Sequence, residues 1–545
     1  MSTMATAPAL VSQTRAGWRR NWWPALGLLL ILALVAAVRM RLRSLPLERD
    51  EGEYAYAGQL MLEGVPPYQL IYNMKMPGIY AAYALIMAVF GQSAAGIRLG
   101  FMLVNMAAIV LMYFLGRRFL DRPGALAASA AYALLSVSPC LQGFNAHATH
   151  FVILAVLGAT LALLRAQERG GLAGFFWSGA LFGVAFLMKQ PGGAFAFFGG
   201  SLLLWTALRR RPPEWKKDGA RLAAYATGVA SPIVLTAGLI WRAGTWKKFW
   251  WWTATYARVH ATALPWKFVK ERLETPLTHW AWDELFWALA LAGLICVLWR
   301  KSHVEEKFFF LSLLFFSAAS VCPTFHFTSH YFVLMLPVVA LLAARALAAV
   351  STWLAGQPLA LARGAPWVLF GLTWAGVAWS YRGPFFLWQP EQVAAQAYGV
   401  NDFQVYPVIA DYLARHAAPT ATLAVLGSEP ELLFYAHRRS VTGFIYMYDL
   451  VEDQPFRQQM EQEMISEVER GRADYIVFVN QVFSWLPYPA ECFDKIRNWL
   501  MAYTQSQYIP YGVVTFAPNQ FFWGPDCLQQ VPINHRFVVI FQRKP

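Results

Sequence analysis

The sequence predicts a mostly helical, polytopic membrane protein of about 11–13 transmembrane helices, followed by a C-terminal soluble α/β domain. Three observations carry that prediction. Of 545 residues, 57% are hydrophobic and 14% charged, against about 25% charged in soluble domains. The apolar excess is gathered in long runs, and 24 Trp, 23 Tyr and 39 Phe supply rings favoured at membrane–water interfaces. After Tyr381 the apolar runs shorten to strand length and the charge balance reverses. Residues 1–381 hold 33 Lys/Arg and 15 Asp/Glu, whereas 382–545 hold 12 and 16.

Taken in order, residues 1–21 are small, polar and basic. The apolar run Trp22–Val38 ends in Arg39 without a small-residue cleavage pattern, so it reads as an uncleaved first span. Further runs occupy roughly 99–115, 124–140, 148–164, 172–188, 193–208, 222–241, 284–299, 308–322, 331–350 and 366–381. A shorter run, 78–90, opens with Pro77-Gly78 and reads as a re-entrant or interfacial helix. With that reading and the N-terminus inside, the short inner connections 116–123, 165–171, 209–221 and 300–307 carry 14 Lys/Arg in 36 residues. The short outer ones, 91–98, 141–147, 189–192 and 322–330, carry two in 28, which is the positive-inside bias. Letting 78–90 cross would invert the bias, so eleven spans are expected, with the C-terminus outside; other boundaries give twelve or thirteen.

The expected division is a transmembrane part, 1–381, in which 39–77 forms an outer loop with juxtamembrane helices, and an extracytoplasmic domain, 382–545. In the latter, Thr422–Leu426, Tyr475–Val479 and Phe537–Phe541 read as strands and Gln458–Arg470 as a helix. Gly427-Ser428-Glu429-Pro430 and Tyr488-Pro489 punctuate them. Cys492 and Cys527 fall here and are either a disulfide or two buried thiols. The basic excess lies in the membrane part rather than on a solvated face, which argues against a nucleic-acid partner.

This topology gathers the unusual polar residues on one side. Leu47-Glu48-Arg49-Asp50-Glu51-Gly52-Glu53 packs four carboxylates into six residues beside the membrane. They are a solvated acidic loop, or the capped start of an amphipathic helix with acids in its first turn, or a cluster in which neighbouring charges tune one carboxylate as a general base. Lys75, in Tyr72-Asn73-Met74-Lys75-Met76-Pro77-Gly78, either snorkels or meets a phosphate. His147 and His150 stand one turn apart at the mouth of a span, Lys189 precedes Gln190-Pro191-Gly192-Gly193 where two spans meet, and His326 and His330-Tyr331 precede another span. His147 and His150 are spaced to share a divalent metal, but no ligand motif with a carboxylate accompanies them, and interfacial hydrogen bonding is the plainer reading. Acids and cations at bilayer depth suit a substrate with a lipid tail, a phosphate and hydroxyls. A transporter or flippase of lipid-linked sugars, and a non-catalytic scaffold, are the alternatives. Charges at one face rather than at the midplane favour an enzyme.

The stretch from Asp50-Glu51 through Lys75-Met76-Pro77 to Phe90-Gly91-Gln92-Ser93 and Arg98-Leu99 resembles the first luminal loop of C-type, multi-span glycosyltransferases. The group concerned contains the protein O-mannosyltransferases and the lipid A aminoarabinose transferase. Met188-Lys189-Gln190-Pro191, His330-Tyr331 with Pro337, and Gly427-Ser428-Glu429-Pro430-Glu431 with Tyr435 and Arg438-Arg439 resemble later segments of that family. The resemblance implies inverting transfer from a polyprenyl-phosphate sugar to an acceptor lipid, glycan or protein hydroxyl, in a bacterial inner membrane. It implies Asp50 as general base with Glu51 beside it, and Lys75, Lys189, Arg98 and His330 as groups for the donor phosphate. Glu53, an acid additional to the family pattern, competes for the base role. Lys75-Met76-Pro77-Gly78 lacks the family's second proline. No Asp-x-Asp occurs, and no cofactor is expected.

Overall fold

A computed structural model of the chain describes residues 22–545 apart from 264–265, 279–283, 300–303, 324, 357–361, 363, 400, 486–489, 517–518 and 531–535. The basic segment 1–21, the Tyr488-Pro489 punctuation and part of the inner connection 300–307 lie outside the described residues.

Among the described residues nine α-helices come first: α1 (Trp23–Arg41), α2 (Arg49–Leu62), α3 (Pro77–Phe90), α4 (Ala94–Gly116), α5 (Arg122–Leu135), α6 (Ala148–Arg169), α7 (Leu172–Met188), α8 (Gly193–Arg209) and α9 (Trp215–Arg242). Their ends follow local chemistry. Ser93 caps α4 by accepting from the Gly96 amide at 3.1 Å, and Asp121 caps α5 from the Gly124 amide at 2.9 Å. Pro77 opens α3, and Gly91 closes it at φ +87°, a conformation that favours glycine. Among the described residues six helices are long and apolar enough to cross a membrane: α1, α4, α6, α9, Gln190–Arg209 and Ser329–Ala355. The helices Pro77–Phe90, Leu172–Met188 and Glu284–Trp299 are apolar but shorter. At 1.5 Å per residue α3 is about 21 Å long, short of a hydrocarbon core of about 30 Å. Large apolar side chains face outward, with Phe197 71% and Trp241 73% exposed. Lipid rather than water satisfies that outer surface, and the protein is an integral membrane protein.

Downstream, the described residues form a five-stranded sheet in the order β1-β2-β5-β3-β4. Its strands are β1 (Leu423–Leu426), β2 (Tyr475–Asn480), β3 (Tyr508–Thr515), β4 (Gln520–Trp523) and β5 (Phe537–Arg543). β1 and β2 are parallel, and every other pairing is antiparallel. β1, β2 and β5 are the strands expected from the sequence, and the expected helix is Arg457–Gly471. β3 and β4 escaped the sequence reading for physical reasons. Pro510 and Gly512 interrupt β3 at a bulge, and β4 is four residues at a sheet edge. Cys527 is a buried free thiol, packed with Val513 and Val539.

This C-terminal segment is packed onto α2 and its flanks. The Leu47 amide donates to Tyr435 Oη at 2.8 Å, and the Tyr72 amide donates to the Gly443 carbonyl at 2.7 Å. Arg49 bridges Glu429 at 2.7 Å. Gly52 makes the closest approach, since a Cβ there would lie 2.6 Å from the Glu431 backbone nitrogen and 2.7 Å from its Cα. Both elements would have to shift to admit a methyl group. Gly52→Ala is therefore expected to cost about 1–3 kcal/mol by overpacking, read as a lower melting temperature of the purified protein. An unchanged melting temperature would mean that this contact is soft.

Candidate active site

α2 begins with a reciprocal cap. Glu48 accepts from the Glu51 amide at 3.0 Å, and Glu51 accepts from the Glu48 amide at 3.3 Å. The same turn aims its three following carboxylates in different directions, and their surroundings separate their roles.

Glu51 is fully buried and joins three segments. It takes the Ala146 amide at 2.6 Å and the Arg98 guanidinium at 2.9 Å. Arg98 in turn donates to the carbonyls of Phe144 and Pro46. Replacing Arg98 with Met would strand a buried carboxylate, and a stability loss of about 3–5 kcal/mol is expected. The measurement is again the melting temperature, and an unchanged value would mean that other groups compensate Glu51.

Glu53 is also fully buried. It accepts from Tyr80 at 2.5 Å, Asn73 at 3.0 Å and Lys75 at 2.6 Å. Burial raises its pKa, and Lys75 opposes the rise without cancelling it. Asp50 differs, because its side chain is 24% exposed. It accepts from Lys75 at 2.6 Å and from Tyr446 Oη at 3.2 Å. Burial alone would raise its pKa. Lys75 and the imidazoles of His330 and His147 outweigh that and hold it well below the usual carboxylate range. Glu48 moves the other way. Burial, with Asp50 and Glu51 beside it, pushes its carboxyl up to about 8.

His147, at the start of α6, stacks on His330 with ring centroids 3.9 Å apart. Its Nδ1 lies 3.7 Å from Glu48 Oε1 and 4.0 Å from Asp50 Oδ2. Neither ring nitrogen has a hydrogen-bond partner among the described residues. Burial lowers this imidazole to about 3, so it is neutral at physiological pH. His330 Nδ1 meets Gln142 Oε1 at 3.3 Å, and its Nε2 has no partner among the described residues. Lys189 follows α7 with its ammonium 3.9 Å from the Tyr331 ring centre. Among the described residues no carboxylate lies within ion-pair distance of it, and burial lowers its pKa to about 7.

The structure thus brings together Asp50, Lys75, His147, Lys189, His330 and Tyr331, with Glu51, Glu53 and Arg98 as the buried frame behind them. It does not bring in His150, which packs edge-on against Phe101 at 4.9 Å. The histidine that joins His147 is His330, from another element, and donor atoms of Asp50, His147 and His330 lie within 4.8 Å of one another. Those three could hold a divalent cation. His326 stacks instead on His260, at 5.1 Å. Sequence reasoning missed Tyr446, which reaches Asp50 from 396 residues away, and it missed Glu48 as more than a neighbour. No local pattern signals the first, whereas the capping box signals the second.

A partly exposed carboxylate, a lysine bound to it, and a second lysine with no carboxylate in ion-pair reach among the described residues can accept a proton on one side and neutralise an anion on the other. Comparisons with known proteins find partial relatives and structural neighbours. A family model described as dolichyl-phosphate-mannose-protein mannosyltransferase matches residues 75–241. The undecaprenyl phosphate-alpha-4-amino-4-deoxy-L-arabinose arabinosyl transferase of Pseudomonas aeruginosa (strain UCBPP-PA14) is 31% identical over 149 residues. That stretch is 26% of this chain and 27% of the relative, so the match spans about a quarter of each. Among solved structures, ArnT from Cupriavidus metallidurans bound to undecaprenyl phosphate superposes with a TM-score of 0.60. It is 16% identical, with 96% of this chain and 98% of that chain covered. The archaeal oligosaccharyltransferase AglB from Archaeoglobus fulgidus, in complex with an inhibitory peptide and a dolichol-phosphate, gives a TM-score of 0.51. Its identity is 13%, covering 95% of this chain and 76% of that one. The fold is that of ArnT and AglB, and the likeness to ArnT runs along nearly the whole chain.

Proposed function

We propose that this chain is an inverting glycosyltransferase that moves a sugar from a polyprenyl-phosphate donor to an acceptor hydroxyl on the extracytoplasmic face. On this reading 1–381 is the transferase part, 39–77 its catalytic outer loop, and 382–545 an extracytoplasmic domain that covers the site. The observation that carries the proposal is the pairing of a partly open Asp50 with two cations, Lys75 and Lys189, of which, among the described residues, the first alone is engaged by carboxylates.

Asp50 takes the proton of the acceptor hydroxyl as its oxygen attacks the anomeric carbon. The bond from that carbon to the phosphate oxygen breaks, and its electron pair stays on the phosphate. The donor is a phosphodiester monoanion and the leaving lipid phosphate carries more charge. Cations beside it therefore stabilise the transition state more than the ground state. Lys189 is the principal cation, while Lys75 is shared between the phosphate and the two carboxylates it already meets. Glu51 and Glu53 hold α2 in position. The likeness to a structure bound to undecaprenyl phosphate supports a polyprenyl donor.

The test is to incubate the purified protein with polyprenyl-phosphate sugars and an acceptor lipid, glycan or peptide. The expected products are lipid phosphate in stoichiometric release and a glycoside of inverted configuration. Absence of release with every donor and acceptor class would reject the reading.

A further inference from the structure

A cavity of about 180 Å³ lies at the other end of the helix bundle from the Asp50 site. It is bounded by the ends of α6 and α8 and the starts of α7 and α9. Lys189 stands just before α8 and Arg210 just after it, so about 25 Å of helix separates them. The segment 209–221 carries six Lys/Arg and two Asp/Glu.

Arg210 and Arg221 line the cavity and share Asp218. Arg210 Nη1 donates to Asp218 Oδ1 at 2.6 Å and to Glu214 Oε2 at 3.1 Å, and Arg221 Nη1 donates to the same Asp218 oxygen at 2.8 Å. Lys217 donates to the other oxygen of Glu214 at 2.8 Å. Three cations thus face two carboxylates, and one positive charge is left over. Glu168 and Glu305 pair with Arg118 and Arg209 instead. Among the described residues the Nε and Nη2 donors of Arg210 and Arg221 meet no protein acceptor. The other walls are largely apolar, and Leu204, Trp215 and Leu222 are 52%, 62% and 41% exposed on the surface that lipid covers.

We infer that this cavity binds an anionic phospholipid, with its phosphate on Arg210 and Arg221 and an acyl chain along Leu204, Trp215 and Leu222. Guanidinium forks match phosphate oxygens in pairs, and basic pockets between membrane helices hold anionic head groups. Trp215 suits the boundary between head group and chain. Apolar walls offer a free phosphate nothing. An acidic peptide would have to enter among side chains that face hydrocarbon. The cavity takes the phosphate and the first carbons of a chain, and the rest of the lipid lies along the outer surface. Bound there, it joins the end of α8 to the start of α9.

Full-length protein in neutral detergent, freed of bound lipid, is titrated with phosphatidylglycerol, phosphatidylcholine or inorganic phosphate, and its melting temperature is followed. Phosphatidylglycerol should raise it saturably, as any ligand of the folded state does, and the other two should not at equal concentrations. Arg221→Gln should raise the half-saturating concentration about 5-fold, the weight of one basic residue at an anionic lipid surface. Asp218 keeps Arg210 in that variant, so no buried carboxylate is stranded. Gly219 also lines the cavity, and a Cβ there would meet no heavy atom within 4 Å. Gly219→Leu therefore enters the space without displacing protein atoms, favours the helix and should weaken the titration at least as much. Equal melting of each variant and the parent before lipid is added verifies the folds. No rise with phosphatidylglycerol, an equal rise with phosphatidylcholine, or a rise with inorganic phosphate overturns the inference. So does a titration unchanged in either variant, which would put the lipid elsewhere. No turnover is measured, so the result is independent of the transfer reaction.

Discussion

Asp50→Asn lowers turnover by about 10²–10⁴-fold, the contribution of a positioned general base, while the donor binds at least as tightly as before. The amide has the shape of the carboxylate and can still accept from Tyr446. It cannot take the acceptor's proton. It also removes a negative charge from beside an incoming phosphate and releases Lys75 from one of its two carboxylates, so donor affinity should hold or rise. Single-turnover release of lipid phosphate measures the first effect, and equilibrium binding of a polyprenyl phosphate measures the second. Parallel loss of both would mean that Asp50 organises the site rather than working in it. The low pKa of Asp50 in the free protein depends on Lys75. A phosphate that draws Lys75 away therefore makes Asp50 a stronger base when the substrate is present.

Lys189→Ala lowers kcat by about 10²-fold, comparable with removing one stabiliser of developing negative charge, and it raises the donor KM as well. The pH profile carries the sharper signature. Lys189 has its pKa lowered by burial to about 7. Only the protonated ammonium attracts phosphate, so kcat/KM for the donor is greatest below about pH 7 and declines as pH rises through that value. Lys189→Arg keeps its charge throughout, and its profile should lose the alkaline decline even if its maximum is lower. Lys189→Ala should be low and flat across the same range. A wild-type profile level from pH 6 to 9, or an arginine variant with the same decline, would remove Lys189 from this role. Lys75→Ala is a poorer probe, because it also leaves the buried Glu53 without its cation.

The local grammar of the first loop was legible in the sequence. Glu48 and Glu51 spell a capping box, and the helix they start is the one observed. The division of labour among the acids was not legible, because it depends on distant partners. Glu51 is a strut through Arg98 and the Ala146 amide, 47 and 95 residues away. Glu53 is occupied by Tyr80, Asn73 and Lys75. Unlike these two, Asp50 keeps an open side. Helical spacing paired His147 with His150, yet one turn along α6 rotates His150 toward Phe101, and the true neighbour comes from the segment before Leu336. Charge bias along the chain grouped Lys75, Lys189 and His330 before any contact was known, since positions sharing one end of a helix bundle converge in space.

The clasp between the first helices and the last third of the chain has a consequence in time. A ribosome delivers Asp50, Lys75, His147, Lys189 and His330 well before Tyr446, and Gly52 can meet Glu431 only once residue 431 has been made. A nascent or truncated chain would therefore hold its acids and lysines without the wall that closes over them. On the proposed function, a complete site requires the last third of the chain to have been made.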